Sequence, residues 1–396
     1  MKVLIIPSWY PNIKNHTFGS FFQEQASLLV ANGYDVKILS GNIETLTTIN
    51  YLQNKFKEFI FSKKKILQND YLIQDPLALS FSIFQFSDWW NEEEKNTKIC
   101  RSYVNALSEL LESGWKPDLI HAQCTVNAGI IAHHLSKVFK IPFVIIEHQT
   151  FLLNNYTKFK QSLIINSLQN ATKVGAVSNH QKRCVLMNLI KCNPIIIWNF
   201  IDEDKFNIEP VKSDSKFRIL TISYPHFIKD MDTFFKSVAS FCQVCNDYIE
   251  VVVIGNSSFD NLDNANTVVF ENLAKKHNVF SKSVFIPYLT RNEIAEILNT
   301  ADVFISTSIA ETFGVAVREA MLCGVPVIAT KSGGVEDSIN EKTGVLVDIG
   351  DHEAIATALL KIKNKELKFD ANYIRNYVIS QCGKTSFLNK IKNFYS

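Results

Sequence analysis

A chain of 396 residues is too long for one ordinary domain and allows two or three. Its apolar fraction of 46% and charged fraction of 20% are those of a globular protein, and a formal charge of +2 lacks the basic excess of a dedicated nucleic-acid binder. The eight cysteines are scattered, several in apolar runs, which reads as reduced cytoplasmic thiols and not as a disulfide framework.

The chain opens on the strand candidate "KVLII" (2–6), with too few apolar residues before Pro7 to form a signal peptide. No run reaches the roughly 20 apolar residues that span a bilayer, so the expectation is a soluble cytoplasmic protein, with room for contact at the inner face of the membrane. An amphipathic stretch, "FFQEQASLLVANG" (21–33), follows and closes on a glycine as helices do. Further strands are expected at "DVKIL" (35–39), "DLIHA" (118–122), "FVIIE" (143–147), "KVGAVS" (173–178) and "PIIIW" (194–198). Between the second and third lie two less readable segments. "YLQNKFKEFIFSKKKIL" (51–67) sets apolar residues at helical spacing among five lysines, which suits either a helix packed on the sheet or an amphipathic helix on an anionic membrane surface. "FSIFQFSDWW" (81–90) offers aromatic faces for sugar stacking or a packed hairpin or loop. His121, His133 and His134 read as strand-end and helix residues.

Near 203–217 the sequence turns polar and loses periodicity, as a linker does, and then the alternation restarts. Strands are expected at "FRILTIS" (217–223), "YIEVVVIG" (248–255), "SVFIP" (283–287), "DVFIS" (302–306), "VPVIAT" (325–330) and "TGVLV" (343–347). Repeated β-α units predict parallel sheets. The fold class is therefore α/β, with two doubly wound Rossmann-like domains facing a cleft at their strands' carboxyl ends. The expected division is residues 1–205, residues 206–375, and a C-terminal helix, 376–396, packing back on the first domain. Cys242 and Cys245 form a C-x-x-C within a helical pattern and read as core residues, since no second pair or nearby histidine completes a zinc set.

The most informative stretch is "ETFGVAVREAMLCGVPVIATKSGG" (311–334). A strand precedes it, and Gly314 stands at the start of a helix that Gly324 stops. Unpaired N–H groups and the dipole at such a start favour phosphate. A carboxylate accepts from two adjacent hydroxyls at once, so Glu311 and Glu319 suit a ligand with a vicinal diol at each of two places. A nucleotide sugar is such a ligand. Taken singly, Glu311 reads more readily as a capping residue and Glu319 as a solvated helix charge. The fixed offsets of glycine, phenylalanine, proline and the second glycine pair argue for the site.

This string resembles the signature of GT-B-fold retaining glycosyltransferases of the family 4 (group 1) type, E-x-F-G, E-A-M, P-V-I-A-T and G-G. Weaker likeness runs through "PSWYP", "TFGSFFQEQ", "KPDLIHAQ", "IPFVIIEHQT", "WNFID" and "EKTGVLVD". The resemblance implies that Glu319 accepts from the donor ribose. It places Glu311 and the N–H groups of Thr312, Phe313 and Gly314, beside Val315, at the transferred sugar. It puts Gly19 near the diphosphate or acceptor, His148 near the anomeric carbon, and Tyr288 and Leu289 against the base. Where the family reads G-R-x-x-x-x-K-G, this chain reads "SYPHFIKD" (223–230). Ser223 and Tyr224 replace the glycine and arginine, Lys229 keeps the lysine, and Asp230 replaces the last glycine. Another cation, Arg218, Lys331 or Arg318, would then stand in for the arginine.

No cofactor is implied. The D-x-D strings at 202–204 and 230–232 read as linker and helix-entry residues, not as metal ligands. The implied activity is transfer of a sugar from a nucleotide-diphosphate sugar, UDP- or GDP-linked, with retention of configuration and without a metal. The implied acceptor is a hydroxyl of a glycan or lipid-linked molecule of a bacterial surface polysaccharide. Two other readings stay open: a nucleotide-sugar epimerase of the same fold, and a non-catalytic partner subunit, which Tyr224 would suit.

Overall fold

The computed structural model describes residues 1–11, 19–46, 68–69, 77–86, 90–188, 190–210, 216–245, 248–255, 268–287 and 289–396. The lysine-rich segment 51–67, Tyr288 and part of the expected linker lie outside the described residues. The chain divides into two compact units. The first is Met1–Val177, Gln181–Ile197 and Lys390–Ser396; the second is Ser178–His180 and Trp198–Asn389.

The first unit holds β1 (Lys2–Pro7), β2 (Asp35–Leu46), β3 (Gln68–Asn69), β4 (Leu77–Phe86), β5 (Leu119–Gln123), β6 (Phe143–Glu147), β7 (Lys173–Ala176) and β8 (Ile195–Ile196). They form one sheet in the order β3-β4-β2-β1-β5-β6-β7-β8, parallel except for β3. Every residue of β5 and β6 is buried, as expected for central parallel strands covered on both faces. β4 was not foreseen. It takes in most of the aromatic stretch at 81–90 and pairs with β2 from Lys37↔Leu77 to Leu46↔Phe86. Phe81, Ile83 and Gln85 are buried while Ser82 is exposed, so this segment alternates as a strand. The C-terminal residues of the unit supply Tyr395, whose hydroxyl lies 2.7 Å from Nδ1 of the buried His121 in β5. Burial pushes the His121 imidazole down to about 3, which keeps it neutral. His133 and His134 lie on the helix Ile130–Phe139.

The second unit holds β9 (Phe217–Ile222), β10 (Ile249–Ile254), β11 (Ser283–Ile286), β12 (Val303–Ser306), β13 (Val327–Thr330) and β14 (Gly344–Val347). All pairings are parallel, and the order is β11-β10-β9-β12-β13-β14. Numbered within the unit this is 3-2-1-4-5-6, the Rossmann order. The helix Met231–Val244 packs Phe234, Phe235, Val238 and Phe241 into the core with Ile219 and Val251. Cys245 ends this helix, and neither it nor Cys242 is in a disulfide. The long run of this unit begins at Trp198, ahead of the expected linker, and residues there pack inward. Phe206 is wholly buried, and Arg375 Nη2 donates to the Glu203 carbonyl at 2.6 Å. No helix among the described residues is long and apolar enough to cross a membrane.

Candidate functional site

Strand order in the second sheet reverses between β9 and β12, so the loops leaving these two strands flank the crevice where such sheets bind ligands. After β9 the chain runs through Ser223 and Tyr224 into the short turn Phe227–Lys229. After β12 it runs from Thr307 to Glu311. Three contacts join these loops. Thr307 Oγ1 donates to the Lys229 carbonyl at 3.0 Å, Ile309 N donates to the Ile228 carbonyl at 2.6 Å, and Lys229 Nζ forms an ion pair with Glu311 Oε1. Ser308 Oγ donates to the same Glu311 oxygen at 2.8 Å.

A third loop, after β13, holds the Glu311 backbone. Glu311 N donates to the Ser332 carbonyl at 2.8 Å, and Gly334 N donates to the Glu311 carbonyl at 2.7 Å. This approach explains the glycines of the signature. A Cβ on Gly334 would stand 2.1 Å from the Thr312 carbonyl oxygen. Gly314, with φ of 79°, would bring a Cβ within 2.4 Å of Val335 Cγ1. Thr312, Phe313, Gly314 and Val315 thus lead from Glu311 into the helix Val315–Leu322, whose first N–H groups have no partner within the helix. Phe313 is buried beneath this entry, and the Arg318 guanidinium lies 3.8 Å from its ring centre.

The three stand-in cations are all engaged elsewhere. Arg318 is fully buried; it donates to the Phe313 carbonyl and, at 3.0 Å, to the Gly334 carbonyl. Burial pushes its guanidinium down to about 10. Arg218 lies near the amino end of β9 and donates to Glu250 at 2.6 Å and the Thr300 carbonyl at 3.0 Å. Lys331 pairs with the exposed Asp348 at 2.7 Å. Tyr224 itself stands with its ring centre 5.2 Å from Lys229 Nζ.

Ser223 is buried at the end of β9, and its N–H donates to the Ile254 carbonyl at 2.9 Å. Leu289 is half-buried just before the helix Arg291–Leu298. Glu319, expected at the ribose, is 3% exposed and forms a 2.6 Å ion pair with Arg291. Sequence reasoning missed both Arg291 and Ser308. The T-x-x-E capping box at Thr290 and Glu293 does mark Arg291 as the first residue of its helix, but nothing local names its partner.

Both D-x-D strings have other partners. Asp230, at φ of 41°, occupies the left-handed position of the family's glycine and caps the next helix, accepting from Thr233 Oγ1 at 2.6 Å. Hydrogen bonds from Lys236 and Lys276 hold the Asp232 carboxyl well below its usual range. Glu203 accepts from Lys384 N at 3.0 Å, while Asp202 and Asp204 pair with the Lys384 ammonium. Among the described residues no group of three or more His, Cys, Asp or Glu side chains is gathered for a metal.

In the first unit the strand order reverses between β1 and β5. Gly19, with φ of 81°, precedes the helix Ser20–Ala31, and its carbonyl accepts from Phe22 N at 2.9 Å. His148 follows β6 and is 6% exposed, with the edge of Phe22 against its ring at 4.9 Å between centres. His148 Nε2 lies 2.5 Å from Gln123 Oε1. Gln123 Nε2 donates in turn to Gln25 at 3.4 Å. The buried Glu147 accepts from Thr125 N at 2.9 Å and Gln149 N at 2.7 Å, on either side of that chain.

Two parallel Rossmann-like units of this order make the chain a GT-B-type α/β protein. Comparison with known proteins agrees: the sequence pattern of Glycosyltransferase Family 4 matches residues 20–205, and that of Glycosyl transferases group 1 matches residues 202–377. The chain belongs to this glycosyltransferase family. It is 31% identical over 160 residues to sucrose-phosphate synthase 4 of Arabidopsis thaliana, covering 38% of this chain and 15% of that protein. Sucrose-phosphate synthase from Thermosynechococcus elongatus superposes with a TM-score of 0.75 at 16% identity, covering 100% of this chain and 98% of the other. Anabaena HepE in complex with UDP superposes with a TM-score of 0.71 at 16% identity, covering 100% and 99%.

Proposed function

We propose that the protein is a retaining, metal-independent glycosyltransferase that takes its sugar from a nucleotide-diphosphate sugar. The observation carrying this reading is the Lys229–Glu311 pair at the switch point, beside the helix start at Gly314. Lys229 offers three N–H donors; one meets Glu311, and the others suit the oxygens of a diphosphate. The helix N-terminus favours the same charge. Glu311, engaged by Lys229 and Ser308, suits hydroxyls of the transferred sugar better than a nucleophile's role. The solved relative bound to UDP favours a uridine nucleotide in this chain also.

In the proposed reaction the bond between the anomeric carbon and the diphosphate oxygen breaks, and the acceptor oxygen bonds to the same face. The acceptor's proton passes to the departing diphosphate, giving a glycoside and a nucleoside diphosphate. Lys229 and the helix start stabilise the charge that develops on the leaving group. The other partners of both D-x-D strings support a reaction without a metal. Family resemblance favours a glycan or lipid-linked acceptor, in the cytoplasm, for a bacterial surface polysaccharide. A role for residues 51–67 in membrane contact would show as liposome binding lost when Lys63, Lys64 and Lys65 are replaced.

The test is a thermal-shift panel of UDP-, GDP-, ADP- and TDP-sugars on wild type and Glu319→Ala. A ligand at about 100 times its dissociation constant adds about 2.7 kcal/mol. A shift with one nucleotide class that the variant loses supports the reading, and no shift with any of them sinks it. Product analysis by NMR follows, and an inverted anomer would exclude retention.

A further inference from the structure

The carboxylate assigned to the ribose already has a partner. Glu319 is 3% exposed, and its Oε1 lies 2.6 Å from Arg291 Nη1. Arg291 opens a helix whose start is set by the capping box of Thr290 and Glu293. Its guanidinium lies 5.1 Å from the ring centre of Phe206, which is wholly buried. Arg375 Nη1 ties this floor to the helix that carries Glu319: it donates to the Phe206 carbonyl and, at 2.6 Å, to the Leu322 carbonyl. Arg291 is thus held over Phe206, with its Nη1 beside the carboxylate.

A carboxylate this deeply buried stays ionised only when it is paired. Before a donor arrives, Arg291 is a partner that can do so. Ionisation matters because a ribose diol brings two O–H donors, and only the carboxylate anion offers acceptor sites to both while it still engages an arginine. A protonated Glu319 would present a competing O–H instead.

We propose that Arg291 is a positioning residue for ribose recognition. It holds Glu319 ionised and oriented to accept from the 2′- and 3′-hydroxyls, and so selects ribonucleoside diphosphates over their 2′-deoxy forms. A site built to bind a hydroxyl discriminates strongly against the analogue without it, because its buried acceptor is left unmatched. This inference rests on the donor reading given above.

The experiment is calorimetric titration of UDP, GDP and ADP, each beside its 2′-deoxy form, into wild type, Arg291→Ala, Arg291→Lys and Glu319→Ala. For the nucleotide that binds, wild type should prefer the ribo form at least tenfold. Arg291→Ala should bring that ratio below threefold. Arg291→Lys, which keeps the charge without the planar fork, should fall between them and covers the case in which the alanine variant does not fold. A general loss of stability would weaken both nucleotide forms equally, so an unchanged ratio in a folded Arg291 variant overturns the proposal. If Glu319→Ala abolishes the preference while both Arg291 variants keep it, the donor reading survives and the role of Arg291 does not. If wild type binds none of the six nucleotides, the donor reading itself fails and this inference with it.

Discussion

At the switch point of the second sheet Lys229 meets Glu311, and Arg291 meets Glu319 on the helix that follows. The corresponding edge of the first sheet joins His148 to Gln123 and Gln25 through an imidazole and two side-chain amides. Its buried acid, Glu147, is satisfied by backbone N–H groups and not by a cation. Both edges follow the same strand logic; the second sets cations against carboxylates, and the contacts described at the first run between an imidazole, amides and backbone N–H groups. That difference matches the proposed division of labour. A diphosphate needs positive charge held ready, whereas an acceptor hydroxyl can be oriented by hydrogen-bonding groups that carry none.

The comparison breaks most readily at Lys229. Lys229→Ala removes the cation proposed for the leaving diphosphate, and turnover should fall about 10²–10³-fold, the scale of losing one such group. Acceptor-free donor hydrolysis measures it, and a loss under threefold would move the catalytic charge elsewhere. Arg318→Leu should act on the fold: two carbonyls lose their buried donor, and denaturant unfolding should show a loss of about 3 kcal/mol. A stability unchanged in the variant would mean that other groups support Phe313 and Gly334.

Tyr224→Arg sharpens the comparison by restoring the family's second cation. UDP should bind up to about tenfold tighter, as one added charge-assisted hydrogen bond allows. Weaker binding would mean that the Tyr224 ring beside Lys229 serves the site as it stands. The smallest effect is expected in the first unit, at Glu147. Burial raises its native pKa above the unfolded value, so the native state holds this proton more tightly. The resulting stability is present below the ordinary carboxylate range and is lost as pH rises through that range towards the raised value. Glu147→Gln removes the titration and should flatten this decline in the melting temperature. An unaltered pH profile would assign the decline to other groups.

Much of the fold was legible because buried parallel strands are short runs of β-branched residues, as in "FVIIE" and "EVVVI". β4 was not, since its aromatic residues read equally as a hairpin or loop, and pairing with β2 decides the matter. In the site, Glu311 was legible because its neighbours obey backbone demands. Gly314 and Gly334 stand where no side chain fits, and such demands leave a mark in the string. Arg291 left none, because an arginine at the start of a helix is ordinary until the facing helix is known. Arg218, Lys331 and Arg318 illustrate the converse: the sequence shows them as free charges, and each has a partner that only packing supplies.

By itself, then, the sequence determined the alternation of strand and helix, the order of the loops, and which positions must be glycine. These are local properties, set by side-chain pattern and backbone sterics. The tertiary structure alone decided which charges meet. Lys229 reaches Glu311 and Arg291 reaches Glu319 because strand order and helix packing bring separate segments of the chain together, and a Coulomb interaction depends on distance in space, not on separation along the chain.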